Sequence, residues 1–358
     1  MASPLNRNHH LKAMEKTAMG EEEVAPIGHS NSTYVEKCIQ KFNDWHGRKN
    51  PLGLCEDEQD RLAMSLSISD FLEMKKVLKI DEDEKFPRYC YDVSSTTLTI
   101  QRMPSPIHEQ VMSTVAGGFS AVQASLPTNY RRSIQIVTNQ VFDEFDGRHD
   151  GTEKIPDTAV QITDAAGMPR VRFILEVGLS ESYEMLVHDA QTWLEGNNDV
   201  TLVMLVKLEE NPPYVCPVKD LTDEEFEHLK FPDRKSINVK TFALEGDYGP
   251  ATYMGLAWVG EISGFIEVWE RDKLSGMAQI TAAGRINLFN LLNTQSTLFT
   301  LRDFMELPVE GDHKVLINWD DYFSNLGINI CQLAAYRCRQ MRKDRAGKDD
   351  IRDADYEP

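Results

Sequence analysis

The sequence has only six cysteines in 358 residues, and no two of them form a CxxC pair. Paired cysteines at that spacing are typical of zinc sites and dithiol redox motifs. The scattered positions also give no framework for a small disulfide-bonded domain. We therefore expect neither a cysteine-based zinc site nor a disulfide scaffold, and we expect a reducing compartment.

Long hydrophobic runs are also missing. No apolar stretch reaches the roughly 18 residues that cross a bilayer, and the first residues, MASPLNRNHHLKAMEK, contain no apolar core of the kind that signal peptides carry. These two observations predict an intracellular protein, cytoplasmic or nuclear, with no membrane partner.

Positive charge is scarce, with 38 Lys and Arg against 57 Asp and Glu and a net charge of −19. An acidic surface repels nucleic acid, so a nucleic-acid partner would need a local basic patch. Two candidates for such a patch are Arg131-Arg132 and the cluster over 337–348, although the latter also suits a helix end that complements its own dipole. The oligomeric state is left open.

The hydrophobic fraction of 41% is ordinary for a globular protein with a sizeable core. The patterns divide the chain into five segments: a disordered tail over 1–30, a helical extension with a lead-in strand over 31–104, a core over 105–210, a C-terminal β-hairpin and helical extension packed on the core over 211–345, and an acidic tail over 346–358. We predict a mixed fold, α/β or α+β.

Within the extensions, dense apolar residues over 57–78 predict a helix, and β-branched alternation over 89–103 predicts a strand. Helices are also predicted over 282–292, 298–307 and 319–341. In the core, the apolar periodicity predicts a helix, three strands, a helix and a strand, in that order: 107–124, 133–145, 160–162, 171–177, 182–194 and 200–208.

Two acidic residues mark this core. Asp157 comes at the start of one predicted strand, and Glu176 lies near the end of the next, in the apolar run FILEVG. A short connection joins these strands and makes them neighbours, so both carboxylates can reach one ion. Mg²⁺ prefers hard oxygen ligands and usually takes one or two carboxylates. The pair therefore predicts a site for Mg²⁺ or Mn²⁺.

The order of elements, together with Pro156-Asp157 and Glu176-Val177-Gly178 nineteen positions later, resembles the PD-(D/E)XK, or restriction-endonuclease-like, superfamily, in particular its divergent fungal-type members. The resemblance covers less than a third of the chain. It implies that Asp157, Glu176 and the main-chain carbonyl of Val177 bind the metal. It also implies that Glu109, on the first core helix, joins them.

The sequence departs from this superfamily at one catalytic position. The motif lysine stands two residues after the glutamate, and that position is Gly178 here. Some relatives supply the missing group from the next helix, where His188 and Gln191 lie three residues apart on one face. The resemblance therefore predicts His188 or Gln191 near the place of the lysine, His188 as a base or Gln191 to position a water, beside the catalytic Asp157 and Glu176.

These observations favour a metal-dependent nuclease, a hydrolase of phosphodiester bonds. The loss of one charged contact to the transition state costs about 10²–10³ in rate, so the enzymatic activity itself stays open. The alternative is a degenerate nuclease-like domain that binds nucleic acid or protein without cutting. A third class, an interaction scaffold, would use the C-terminal region.

Overall fold

The computed structural model describes residues 32–47, 61–80, 86–101, 104–290, 295–305, 307 and 313–346. The predictions for the tail over 1–30 and for residues 347–358 lie outside this part of the chain. The α-helices are α1 Ser32–His46, α2 Ile68–Leu78, α3 Pro106–Ser125, α4 Thr128–Arg131, α5 Tyr183–Gly196, α6 Asp223–His228 and α7 Trp319–Ala346.

The fold is mixed α/β and contains several sheets. The strands are β1 Arg61–Ser65, β2 Arg88–Asp92, β3 Thr97–Gln101, β4 Ile134–Val137, β5 Glu153–Lys154, β6 Thr158–Thr163, β7 Pro169–Gly178, β8 Leu202–Asn211, β9 Ala243–Leu244, β10 Ala251–Tyr253, β11 Leu256–Val259, β12 Glu261–Arg271, β13 Ala278–Ile280, β14 Ile286–Asn287, β15 Gln295–Thr300 and β16 Lys314–Asn318.

The large sheet has the strand order β13-β12-β8-β7-β6-β4, with β14 also paired to β12. Strands β7 and β8 are parallel, because helix α5 connects them and returns the chain to the same end. The other neighbours in this sheet are antiparallel. The predicted hairpin of the second and third core strands is confirmed as β6 and β7.

The two faces of the large sheet bury different side chains. Side chains alternate along a strand, so Phe173 and Leu175 of β7 pack in the core that contains α3 and α7. Ile174 points the other way and packs with α5, against Leu186 and Trp193. Glu176 has the same parity as Ile174, and this alternation directs it to the α5 face.

A small antiparallel sheet has the order β1-β3-β2-β5. Its apolar face is covered by α1 and α2, with Phe42, Phe71 and Met74 in the shared core. Strand β5 is short but consequential, because Lys154 pairs with Cys90 of β2 and the chain then runs directly into β6. The small sheet is thereby joined to the large one next to Asp157.

The helix predicted over 57–78 is wrong in its first half. Residues Arg61–Ser65 form β1, in which Leu62 and Met64 are buried while Ala63 and Ser65 are exposed. This period of two is that of a half-buried strand. The helix begins only after Ser67, whose hydroxyl accepts a hydrogen bond from the Asp70 N–H and caps it.

The strand predicted over 89–103 is a hairpin of β2 and β3. The carboxylate of Asp92 accepts hydrogen bonds from the Ser94 N–H and the Ser95 hydroxyl and so stabilises the turn between them. The strand predicted over 133–145 ends at Val137, because Asn139 takes a left-handed conformation with φ of 57°.

Toward the C-terminus, the predicted helix over 319–341 is confirmed and extends to Ala346 as α7, which packs against α3. Helices predicted over 282–292 and 298–307 are wrong. In the described residues of these stretches, β14 and a short 3-10 turn cover 286–290, and β15 is followed by a second such turn over 301–303. The regular elements in each stretch are only two to six residues long, so its apolar residues do not form a helical repeat.

Candidate functional site

A pocket of about 110 Å³ lies where the two sheets meet. It is lined by Arg88 of β2, Lys154 of β5, Asp157 just before β6 and Glu176 of β7. Pockets that enclose drug-sized ligands typically measure about 300–1,000 Å³. This pocket therefore suits an ion or a phosphate group better than a whole nucleoside.

Asp157 is buried and accepts hydrogen bonds from three donors. Its Oδ1 lies 2.5 Å from Nη1 of Arg88, and its Oδ2 lies 2.6 Å from the backbone N of Val177 and 3.1 Å from Nε2 of His108. Burial alone would raise the pKa of this carboxyl, but the charges of His108 and Arg88 hold it well below its usual range. Asp157 is therefore ionised at neutral pH.

Glu176 is equally buried, but its pKa is shifted in the opposite direction. Burial raises its pKa well above the ordinary value, and the negative charges of Asp189 and Asp157 raise it further, while Lys154 opposes them. Its Oε1 accepts a hydrogen bond of 2.7 Å from Nε1 of Trp193. The carboxyl of Glu176 therefore favours its neutral form more than an exposed glutamate does.

Lys154 supplies a positive charge to this pocket. Its ammonium group pairs with the carboxylate of Asp189 on α5 and lies 5.9 Å from the centre of the Trp193 ring. Burial disfavours the charged form, but Asp189 together with the other acidic groups around the ammonium, Cys90 and Glu176, raises the pKa of Lys154 above the usual value. Lys154 therefore stays protonated beside Glu176.

A third ion pair lies at the rim, where Nη1 of Arg61 is 2.7 Å from Oε1 of Glu181. Burial raises the pKa of Glu181, Asp189 adds to this effect, and Arg61 opposes it. The pocket thus combines three cation–carboxylate pairs with a fourth buried carboxyl, that of Glu176.

Gly178, the position of the motif lysine, has no room for a side chain. A Cβ at this position would lie 2.8 Å from Cδ1 of the fully buried Leu186 and 3.2 Å from the Cβ of Glu181. The glycine is therefore needed for the packing of α5 against β7. A lysine cannot be accommodated here without displacing the buried side chain of Leu186.

The structure brings together some of the predicted site residues and separates others. Asp157, Glu176 and Val177 line the pocket, although Val177 contacts Asp157 through its N–H. Glu109 is exposed, and neither it nor Gln191, which is partly buried on α5, is among the lining residues. His188 faces away from the pocket and pairs with Asp92 at 2.6 Å.

Five charged lining residues were not selected from the sequence: Arg61, Arg88, Lys154, Glu181 and Asp189. Lys154 carried a signal, because it stands three residues before Asp157 in the run KIPD. Asp189 is one position from His188, and one step along a helix turns the side chain by about 100°. Arg61 and Arg88 come from strands distant in sequence and carried no comparable signal.

Metal-binding side chains are sparse. No cluster of three or more His, Cys, Asp or Glu residues suited to a metal ion occurs in the part of the chain that the structure describes. Because Mg²⁺ often takes only one or two protein carboxylates, the pair of Asp157 and Glu176 is the relevant donor set.

The basic cluster at the C-terminal end is largely committed to internal contacts. Arg337 is buried, with Nη2 at 2.7 Å from Oε2 of Glu210, and Arg345 donates to the carbonyl oxygens of Val218 and Leu221. Arg337 and Arg345 therefore stabilise the helix end rather than form an open patch.

None of the helices in the described ranges combines the length and the apolar character needed to cross a bilayer. Comparison of the chain with protein-family models, with curated proteins and with solved structures found no match.

Proposed function

We propose that this chain is a metal-dependent phosphodiesterase that acts on nucleic acid, built on a restriction-endonuclease-like core. The observation that carries the proposal is the convergence of Asp157, Glu176 and the charged Lys154 on one buried pocket. These are the residue types of the PD-(D/E)XK motif, with the lysine supplied from β5 instead of from two positions after Glu176.

The order of elements supports this core. Helix α3 is followed by β4, β6 and β7, then by α5 and β8, and β5 is inserted before β6. The first three of these strands are antiparallel neighbours, and β7 and β8 are parallel. Asp157 and Glu176 lie at the places where the motif acids of that superfamily are expected.

The donor set fits a divalent cation. The negative charge of Asp157 contributes to the raised pKa of Glu176, as expected of two carboxyl groups close enough to repel each other. Asp157 and Glu176 would hold Mg²⁺ or Mn²⁺, which polarises a phosphoryl group and lowers the pKa of a bound water. The bound metal would then stabilise the ionised form of Glu176, and it would take the place of the proton on this carboxyl.

Lys154 would stabilise the negative charge that develops on the phosphate during attack. It meets the two requirements of this role, because it is protonated and its ammonium is fixed by Asp189. Asp189 acts through Lys154 and is a positioning residue. His188 and Gln191 have no part in this arrangement.

The test is cleavage of single- and double-stranded DNA and RNA oligonucleotides by the full chain with Mg²⁺ or Mn²⁺. We expect Lys154→Met to lower the cleavage rate about 10²–10³-fold. The double variant Lys154→Met/Asp189→Asn, which leaves no unpaired charge, should lose as much. Arg170→Met is the matched control, because Arg170 forms surface ion pairs with Asp164 and Asp199.

Cleavage that persists in Glu176→Gln would assign the activity to a contaminant or to another site. A wild-type chain that cuts none of these substrates would contradict the proposal. Circular dichroism of each variant separates a catalytic loss from misfolding.

A second candidate is a nuclease-like domain that binds without cutting. It is favoured by the three donors on Asp157, which leave the carboxylate satisfied without a metal. Binding of an oligonucleotide with no hydrolysis in either metal would support this candidate.

A further inference from the structure

Three nitrogen atoms around the pocket are buried and have no hydrogen-bond partner in the protein. They are Nε of Arg61, Nε of Arg88 and Nδ1 of His108. Buried polar groups are normally satisfied, so the two unpaired arginine N–H donors indicate a missing acceptor. Nδ1 of His108 is a third donor when the imidazole is protonated, since Nε2 already contacts Asp157. All three residues line the pocket that holds Asp157.

The missing acceptor fits a phosphate group. Arginine presents a planar fork of donors that matches phosphate oxygens, and the two guanidinium groups approach the pocket from β1 and β2. The N-terminus of α3 adds its dipole, since Ser105 at the helix cap lines the same pocket. The pocket volume of about 110 Å³ also suits this ligand class.

Arg88 already donates hydrogen bonds within the protein, and one of them occupies a carboxylate oxygen that a metal would need. Its Nη1 donates to Asp157, and its Nη2 donates to the carbonyl oxygen of Ile155 at 2.8 Å. A divalent cation on Asp157 would have to displace this guanidinium. A displaced, buried guanidinium without an acceptor is costly, so the cation alone should bind weakly.

We propose that Arg88 is exchanged between Asp157 and a substrate phosphate, so that phosphate and divalent cation bind cooperatively. A phosphate bound by Arg61, Arg88 and His108 accepts the guanidinium and frees an oxygen of Asp157 for the metal. The inference rests on the proposed function only in taking Asp157 and Glu176 as the metal ligands. Linkage makes the effect reciprocal, so the metal strengthens phosphate binding by the same factor.

The experiment measures Mn²⁺ binding by electron paramagnetic resonance of the free ion, with the full wild-type chain. The phosphate probe is thymidine 5′-monophosphate, and uncharged thymidine is the control ligand. Mn²⁺ bound by the nucleotide itself is subtracted from a titration without protein. We expect the nucleotide to tighten Mn²⁺ binding about tenfold, and thymidine to have no effect.

The variant Arg88→Met should bind Mn²⁺ without the nucleotide about as tightly as the wild type does with it, and should show no further gain. Arg170→Met should keep the wild-type coupling. If Mn²⁺ binds the wild type equally tightly with thymidine and with its monophosphate, the inference is wrong. This result does not depend on whether Arg88→Met folds.

This outcome is separate from that of the proposed function. Coupled binding without cleavage would retain the exchange of Arg88 and overturn the phosphodiesterase. Cleavage by a chain whose Mn²⁺ affinity is the same with and without the phosphate would support the phosphodiesterase and overturn the exchange of Arg88.

Discussion

Glu176 illustrates how one side chain can carry opposing requirements. It lies in a strand with apolar neighbours and is only 7% exposed, and it keeps a hydrogen bond from Trp193. An ionised carboxylate in such a place is expensive unless a cation compensates it. The site therefore holds a buried carboxyl whose charged form is disfavoured unless a cation lies beside it.

Replacement of Glu176 by glutamine should raise stability at alkaline pH. Because burial raises the pKa of Glu176 in the folded state, the wild-type chain loses stability as pH rises above the unfolded value of about 4.3, at up to about 1.4 kcal/mol for each pH unit, until the folded pKa is passed. Glu176→Gln has no such loss. Urea unfolding of both proteins at pH 4.5 and pH 8, in EDTA, measures this difference in the free energy of unfolding.

The expected result is a difference between the two proteins that is small at pH 4.5 and favours Glu176→Gln at pH 8. Equal pH dependence in both proteins would show that Glu176 is ionised in the folded chain. EDTA matters, because a bound cation would itself stabilise the carboxylate.

Sequence reasoning reached part of this site. Asp157 and Glu176 stand out because acids in apolar strands are unusual, and the strands that carry them are linked by a short connection. The pairing of Lys154 with Asp189 depends on the packing of α5 against β5, which no local pattern encodes. Arg88 depends on the pairing of a distant hairpin with β5 and was equally out of reach.

At the scale of elements, one connection between the small sheet and α5 is the ion pair of Asp92 and His188. Nε2 of His188 on α5 lies 2.6 Å from Oδ2 of Asp92 at the end of β2. The hydrogen bond with Asp92 raises the pKa of His188. Although burial opposes it, hydrogen bonds from His188, Ser95 and Ser94 lower the pKa of Asp92.

This pair should stabilise the fold most between about pH 4 and pH 6.5. The contribution of His188 is complete below its unfolded pKa and is lost as pH rises through the folded value. The contribution of Asp92 is present above its unfolded pKa and is lost as pH falls through the folded value. His188 is about half exposed, so the pair is worth less than about 1 kcal/mol.

The variant His188→Gln tests the link, with urea unfolding of both proteins at pH 6 and pH 9. The wild type should be more stable at pH 6, and the difference should shrink at pH 9. The pH dependence from Glu176 is common to both proteins and cancels. A difference that stays constant would mean that His188 acts here only as a neutral hydrogen-bonding group.

Elements were predicted best where one periodicity runs over many residues, as in α3, α5, α7 and β8. The errors fall where two periods compete. In β1 the alternation of buried Leu62 and Met64 with exposed Ala63 and Ser65 covers only five residues and is followed at once by the helical pattern of α2. In the β2–β3 hairpin, the turn is formed by small polar residues of the same kind as those in the strands.

At the scale of the whole molecule, the net charge of −19 limits how the proposed nucleic-acid substrate would be bound. The cationic groups in the pocket are Arg61, Arg88 and Lys154, and each already has a carboxylate partner. Recognition of a long stretch of backbone therefore has little support. Contact with one or two phosphates, at an end or at a distorted position, is the better expectation.

The salt dependence of binding measures how many phosphates the protein contacts. For a single-stranded oligonucleotide, contact with one or two phosphates should give a slope of log affinity against log salt of about −0.7 to −1.4, since each neutralised phosphate contributes about −0.7. Fluorescence anisotropy with Glu176→Gln, without divalent ions, avoids cleavage. A slope several times steeper would reveal an extended basic surface elsewhere on the molecule.

The short strand Glu153–Lys154 has a consequence for how this protein can be dissected. Its backbone partner on one side is β2, and on the other side Phe142 bridges to Lys154. A fragment that begins at residue 105 would keep Asp157, Glu176 and Lys154 in its sequence, yet it would leave the Cys90 side of Lys154 without a neighbour and Asp157 without Arg88. The segment before the core is thus one wall of the pocket, and the smallest fragment that keeps the pocket has to include it.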